Sequence, residues 1–421
     1  MRPWTEQKQS AMKPLRQSVV FADDLSGALE VGVLARRSGF SAEVFLHAET
    51  SAPPCSAAQV VVIDTLTREC SPSEARNRLA AHSSQWTDAD AGAILKKTDS
   101  LLRGNLAVEL DFLRAAYPAR PLIYVPAYPL LGRIVQDGIL KVRNIAGDWE
   151  ERADVLDTLA AGSAGPRPRL LRSLRELATA LENGDTGCMV SDGATQDEVD
   201  EIARLLRPHL HRVMVAGPSG VFRRLFGEPA DAHEFRSAGT VAKGGIALIG
   251  SFHPVTMEQL SCLHAKGRAV VSRDIAFPAS STGDGLDAEL RTGWRFLCPH
   301  WAGDSPTFGS PGGPGAPNVS AQTEALRELA RRVLALPGSG RVPTYLLCGG
   351  DTAELFLAEA GVTRLVPRCE VLPGVVLSDV VMNDTVIAGR PACIVTKSGA
   401  FGERDTFERV IDMLQGEEAP S

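Results

Sequence analysis

The sequence predicts an α/β fold: two α/β domains with mainly parallel sheets and an interdomain active-site cleft. Three observations predict it. Runs such as Ser18–Ala22 (SVVFA), Gln59–Asp64 (QVVVID) and Gly245–Gly250 (GIALIG) are continuously apolar and of strand length, as expected of strands covered on both faces. They alternate with helical patterns, the rhythm of a parallel sheet. Glu228–Gly244, rich in Ala, Gly and charge, separates one such series from a second and reads as an interdomain linker. The predicted domains are residues 18–232 and 244–416, and a pair of α/β domains places a ligand cleft between them.

Taken in order, strand Ser18–Ala22 leads through a turn at Asp23–Gly27 into helix Ala28–Arg37, with Gly39 as its stop. After strand Gln59–Asp64, Ser71-Pro72-Ser73-Glu74 combines a capping box with proline at the first helical position. Ala91–Lys96 reads as a strand, Leu106–Ala116 as a helix and Pro121–Pro126 as a strand; strand–helix units come next at Cys188–Leu206 and Val213–Phe226. The second series runs strand Gly245–Gly250, helix Val255–Ala265, strand Ala269–Ser272, helix Ala321–Leu336, strand Thr344–Cys348, helix Thr352–Ala360, strands near Cys369–Val376 and Ala392–Thr396, and helix Thr406–Leu414. Ala302–Val319 is rich in Gly, Pro and Ser and is expected to be a long surface loop.

Composition excludes several classes. The 421 residues carry 44 basic and 51 acidic side chains, a net charge of −7, with 44% hydrophobic and 23% charged residues. That balance suits a soluble protein with a sizeable core and excludes wholesale disorder. No run approaches the ~18 apolar residues of a membrane span, and mild acidity argues against a nucleic-acid partner. The polar start, MRPWTEQKQSAMKPLRQS, has no apolar core of a secretory signal. Eight scattered cysteines without a CxxC pair are expected to be reduced thiols of a cytoplasmic protein. The histidines show no zinc-binding spacing.

Ligands of parallel sheets sit beyond the carboxyl ends of the strands, so those turns carry the candidates. Asp23-Asp24 follows the first strand. One of them suffices to cap the helix, and the second points to metal coordination, binding of a substrate hydroxyl, or general-base chemistry. Lys97, Thr98, Asp99, Ser100 and Arg103 crowd ion-binding groups around Gly104. Arg68 and Arg133 lie past two further strands, and the arginines suit a carboxylate in a bidentate way. With Asp23 and Asp99 opposite, the set suits a small polyhydroxy acid. In the second half, Ser251, the Gly349-Gly350-Asp351-Thr352 turn and Lys397-Ser398-Gly399 stand at strand ends, in glycine turns that carry hydroxyls. Backbone N–H groups in such turns can cradle the phosphates of a nucleotide. No GxxxxGK[ST] loop is present, and the first strand–turn–helix unit lacks GxGxxG.

These motifs in this order resemble the four-carbon acid sugar kinase family, whose members include D-threonate, D-erythronate and 3-oxo-tetronate kinases. The resemblance rests on ADDLSGA (Ala22–Ala28), DTLTR (Asp64–Arg68), KTDSLLRGN (Lys97–Asn105), PAYPLLGR (Pro126–Arg133) with Asp137-Gly138, GSFHPVT (Gly250–Thr256), GGDT (Gly349–Thr352), PGV (Pro373–Val375) and KSGAFG (Lys397–Gly402). It implies a sugar-acid-binding N-terminal domain, a nucleotide-binding C-terminal domain, and ATP-dependent phosphorylation, usually at the terminal C4 hydroxyl. Carried over by motif, Asp23, Arg68, Lys97, Asp99 and Arg103 contact the acid, while Ser251, Gly349–Thr352 and Gly399 contact ATP. Asp23 first and Asp99 second are the expected catalytic bases, and Mg²⁺ is the expected companion of ATP, with its ligands unassigned. Family members often have Thr at Ser26 and Leu101 and Glu at Asp351, and a longer polar stretch near Leu130-Leu131. The expected partners are a sugar acid and ATP, with no nucleic acid and no membrane, and a homo-oligomer is left open. A nicotinamide-dependent hydroxy-acid dehydrogenase and a non-catalytic sugar-acid sensor are the alternatives.

Overall fold

The computed structural model describes residues 17–46, 56–88, 91–144, 146–161, 163, 165–228, 244–272, 293–299, 319–335, 344–381 and 393–416. Most of the linker expected at Glu228–Gly244, the loop expected at Ala302–Val319, apart from its last residue, and the first sixteen residues lie outside these.

Strands β1 (Ser18–Ala22), β2 (Ala42–Phe45), β3 (Val60–Asp64), β4 (Ile94–Lys97), β5 (Leu122–Tyr124), β9 (Arg169–Leu171), β10 (Cys188–Ser191) and β11 (Met214–Gly217) form the first half of one large sheet. Between β5 and β9, strands β6 (Arg133–Gln136), β7 (Ile139–Arg143) and β8 (Trp149–Asp154) make a separate antiparallel sheet. The second half of the large sheet comprises β12 (Gly245–Ile249), β13 (Val270–Ser272), β14 (Trp294–Leu297), β15 (Thr344–Cys348), β16 (Arg364–Leu372), β17 (Val375–Val380) and β18 (Cys393–Lys397). Their order is β13-β14-β12-β15-β18-β17-β16-β2-β3-β1-β4-β11-β5-β10-β9.

The halves share a single fifteen-stranded sheet, joined where Arg364 and Leu365 of β16 pair antiparallel with Phe45 and Val44 of β2. Pairing is parallel within each half except at the hairpin of β16 and β17 and between β17 and β18. The run near Cys369–Val376, expected as strand alone, contains that hairpin's turn, where Gly374 has φ +74°. Strands β3, β12, β15 and β18 are buried along their whole length, which is why each carries at least three consecutive apolar residues.

Helix starts follow their caps. Asp24 accepts from the Gly27 N–H at 2.9 Å and starts helix Leu25–Arg37 three residues earlier than the sequence suggests. Ser71 caps Pro72–Ser83 as expected, and Thr195 and Glu198 form a full capping box on Gln196–Leu206. The seven cysteines among the described residues are all free thiols. Among those residues no helix is long and apolar enough to cross a membrane.

Candidate active site

The carboxyl ends of β1, β3 and β4 bring their polar turns together. Asp23, 2% exposed, accepts from Arg68 Nε at 2.9 Å through Oδ2, while its Oδ1 is buried without a partner. Arg68 also reaches Asp24 Oδ2 at 2.5 Å and stands 4.0 Å from Asp99 Oδ1. Asp99 takes Arg103 bidentately, at 2.6 and 3.1 Å, and its Oδ2 also accepts from the Leu101 and Arg103 N–H groups at 2.8 and 3.2 Å. Cations and acids therefore interleave, where the sequence suggested arginines facing aspartates across the site.

This arrangement sorts the carboxyl groups electrostatically. Burial pushes Asp23 up, but Arg68, Lys96 and Lys97 outweigh it and hold the group below its ordinary value. Asp24 moves the other way: burial raises it, Arg68 lowers it and the neighbouring Asp23 raises it further. Burial also raises Asp99, yet Arg103 and Arg68 bring it down to about 2. Asp64 has no salt bridge among the described residues; burial, then Glu354 and Asp24, lift it well above its ordinary value.

Two loops are stitched together to hold Arg68. Asp23 O accepts from the Thr67 and Arg68 N–H groups, and Asn105 Nδ2 donates to Thr67 O at 2.7 Å and Cys70 O at 2.8 Å. A Cβ on Gly104 would lie 3.1 Å from Arg68 O and 3.2 Å from Arg68 Cα, and Gly104 has φ +83°. That glycine serves close backbone approach under a left-handed turn. Leu66 and Leu102, at φ +48° and +61°, accept a conformation costly for leucine one or two residues before Arg68 and Arg103. Beneath, Lys96 Nζ pairs with Glu109 Oε1 at 2.9 Å, and Thr67 Oγ1 donates to the same Glu109 oxygen. The Asp137-Gly138 pair is a hairpin turn between β6 and β7, its two N–H groups held by Asp192.

On the other half, three glycine turns converge. Thr256 Oγ1 donates to Gly399 O at 2.7 Å and to Ser251 Oγ at 3.2 Å. A Cβ on Gly399 would fall 2.0 Å from Ser251 Oγ, one on Gly250 would fall 2.4 Å from Thr352 Oγ1, and Gly349 has φ +111°. Only glycine fits these three positions as packed. Lys397 lies under the turn, 2% exposed, donating to Ser398 O at 2.9 Å, with its ammonium 5.3 Å from the centre of the Phe407 ring. Burial lowers its pKa.

One cavity of about 660 Å³ spans both halves. Asp23, Asp24, Arg68, Lys97, Asp99, Ser100, Arg103 and Arg133 line it from one side, and Gly350, Asp351 and Ser398 from the other. Thr98 is buried behind the strand tip, while Ser251, Gly349, Thr352, Lys397 and Gly399 form the framework behind the second wall. Sequence reasoning did not single out Glu30, Tyr128, Ser219 and Glu354, which also line the cavity. Glu354 stands one helical turn beyond Asp351, and Ser219 follows the end of β11; helical spacing and the strand-end rule point to them. Burial, Asp351 and Asp24 raise the Glu354 carboxyl to about 8 against the pull of Arg68 and Arg78. Among the described residues no group of three or more His, Cys, Asp or Glu is placed to hold a metal ion by itself.

Two family models match the chain: a sugar-binding N-terminal domain over residues 18–158 and a nucleotide-binding C-terminal domain over residues 246–407. A D-threonate kinase of Cupriavidus necator is 29% identical over 96% of this chain and 99% of its own. A D-erythronate kinase of Heliobacterium modesticaldum is 32% identical over 44% of this chain and 47% of its own. A solved structure from Salmonella typhimurium LT2 shares the fold at a TM-score of 0.71 and 19% identity, covering 94% of this chain and 98% of that one. With both models in order along the chain and such relatives matching it, the chain belongs to the four-carbon acid sugar kinase family.

Proposed function

We propose that this protein is an ATP-dependent kinase that phosphorylates a four-carbon sugar acid (D-threonate, D-erythronate or a 3-oxo-tetronate) at its terminal C4 hydroxyl. Residues 18–232 would bind the acid and residues 244–416 the nucleotide. The observation that carries this reading is the single cavity with two unlike walls, one of ionic side chains and one reached by glycine turns.

Lys97 and Arg133 line the cavity with no carboxylate in salt-bridge contact among the described residues, so they take the substrate carboxylate. Asp23 keeps Oδ1 free of partners and charged; it accepts the proton of the attacking hydroxyl. Asp99 has both oxygens committed, so its part is to aim Arg103, whose side chain is 61% exposed and free to meet the transferring phosphoryl group. The N–H groups of Gly350, Asp351 and Thr352 and of the Ser398–Gly399 turn hold the other phosphates. Phosphoryl transfer is mainly alignment and charge stabilisation, which a two-walled cleft supplies.

Mg²⁺ fits this site. It binds through one or two carboxylates and substrate phosphates rather than a protein cage, and Asp351 offers a hard oxygen donor on the second wall. Bound there, it would neutralise charge on the phosphates.

The test is ADP release from ATP and Mg²⁺ with each four-carbon acid in turn. Release stimulated by at least one acid is expected. No stimulation by any of them, or reduction of NAD(P) by one, would overturn the reading.

A further inference from the structure

Glu30 lies on the face of helix Leu25–Arg37 that also turns Ser26 and Gly27 to the cavity, at the i+3 and i+4 spacing of one helical side. Asp23, Asp24 and Asp99 on that wall each have an arginine against them. Glu30 has no salt bridge among the described residues. What holds it is Ser219, 3% exposed, whose Oγ donates to Oε2. That anchor is rigid: a Cβ on the adjoining Gly220 would lie 2.9 Å from Ala127 O and 2.9 Å from the Tyr128 ring, so the segment is pressed onto the neighbouring chain. Glu30 thus lines the cavity from a fixed position, with Oε2 held by Ser219 and no hydrogen bond to Oε1 among the described residues, close enough to Arg133 and Tyr128 to act on both electrostatically.

We propose that Glu30 determines epimer specificity: Oε1 accepts a hydrogen bond from the C2 hydroxyl of the sugar acid, the centre at which D-threonate and D-erythronate differ, with Ser219 as the positioning residue. This rests on the kinase reading above. A four-carbon acid whose carboxylate is held by cations and whose C4 hydroxyl faces Asp23 has two hydroxyls left, and threo and erythro acids direct one of them to opposite sides. A fixed acceptor satisfies one epimer. With the other, a carboxylate oxygen stays unpaired, the situation that gives a site its sharpest rejection.

The experiment compares kcat/KM for D-threonate and D-erythronate in the wild type, Glu30→Met, Glu30→Gln and Ser219→Ala, with ATP saturating. The wild type should prefer one epimer. Glu30→Met, which removes the acceptor at similar size, should cut that preference about ten- to a hundredfold, the range of a hydrogen bond to a charged group, with KM for ATP unchanged within about twofold. Glu30→Gln retains an acceptor oxygen and should restore part of the preference, and Ser219→Ala should lose part of it. If neither acid is phosphorylated by the wild type, the kinase reading itself fails. Equal use of both epimers by the wild type overturns the role of Glu30 alone. So does an unchanged epimer ratio in Glu30→Met or, should that variant not fold, in Ser219→Ala.

Discussion

The two walls of the cavity handle negative charge by different means. The wall at the ends of β1, β3 and β4 uses side chains, and its cations are largely bound to its own carboxylates: Arg68 to Asp23 and Asp24, Arg103 to Asp99. The wall reached by the Gly349–Thr352 and Ser398–Gly399 turns relies on close backbone packing, in which Cβ atoms are excluded. Buried ion networks are expensive to desolvate and strongly coupled, so removing one member leaves others uncompensated. Glycine turns carry little charge but tolerate no added volume. Damage to the first wall should therefore appear in the chemistry, and damage to the second in nucleotide affinity.

The largest expected effect is Asp23→Asn. The amide keeps the shape and removes the charged acceptor at Oδ1, so kcat should fall by roughly two to four orders of magnitude, the usual scale of general-base catalysis. ATP affinity, measured by calorimetry, should stay near wild type. An equal loss of both would erase the contrast between the walls and move Asp23 into a metal or structural role.

Gly399→Ala attacks the opposite wall. Its Cβ would lie 2.0 Å from Ser251 Oγ and 2.8 Å from Ser251 Cβ, while Ser251 is itself held by Thr256 and the His253 N–H. The turn must shift. Overpacking of this kind costs about 1–3 kcal/mol, so KM for ATP should rise about tenfold. Binding of the sugar acid without nucleotide should be unchanged. A matching loss of acid affinity would mean that the walls are one mechanical unit.

The unequal legibility of the walls has the same physical origin. Strand and helix positions around both were readable because the buried strands carry apolar runs and because Ser71 is a strong cap. The helix Leu106–Ala116 and the strand Thr344–Cys348 match the sequence reading residue for residue. What sequence left hidden was pairing at long range. The union of β16 with β2 joins residues more than three hundred positions apart, and no local pattern encodes it. The short β2 and the polar strands β6 to β8 lack an apolar run and were not singled out. In the site, residue types at strand tips were visible, but the bonds of Arg68 to two aspartates depend on how two loops fold together through Gly104 and Asn105. Glu354 could be anticipated only as an acid one turn from Asp351; its partners across the cleft belong to the other half of the chain.

Glu354 is where the comparison is most delicate, because it is a carboxyl on the glycine-turn side that lies within electrostatic reach of Asp24 and Asp64 on the other. It titrates near 4.5 when free and at about 8 in the folded protein. Between these values the folded state keeps a proton that the unfolded state has lost. Stability should therefore be greatest below about pH 4.5 for this group, fall as pH rises toward about 8, and level off beyond. Asp99 acts in a separate window, adding stability that is lost only as pH drops from 3.8 toward about 2. Thermal unfolding followed from pH 5 to 8 should show the wild-type Tm falling more steeply than that of Glu354→Gln, which carries no proton to lose. The effect should be the smallest of the three, since the side chain is half-buried and water screens what reaches it. Parallel slopes would mean that the carboxylates of the two walls do not sense each other across the cleft.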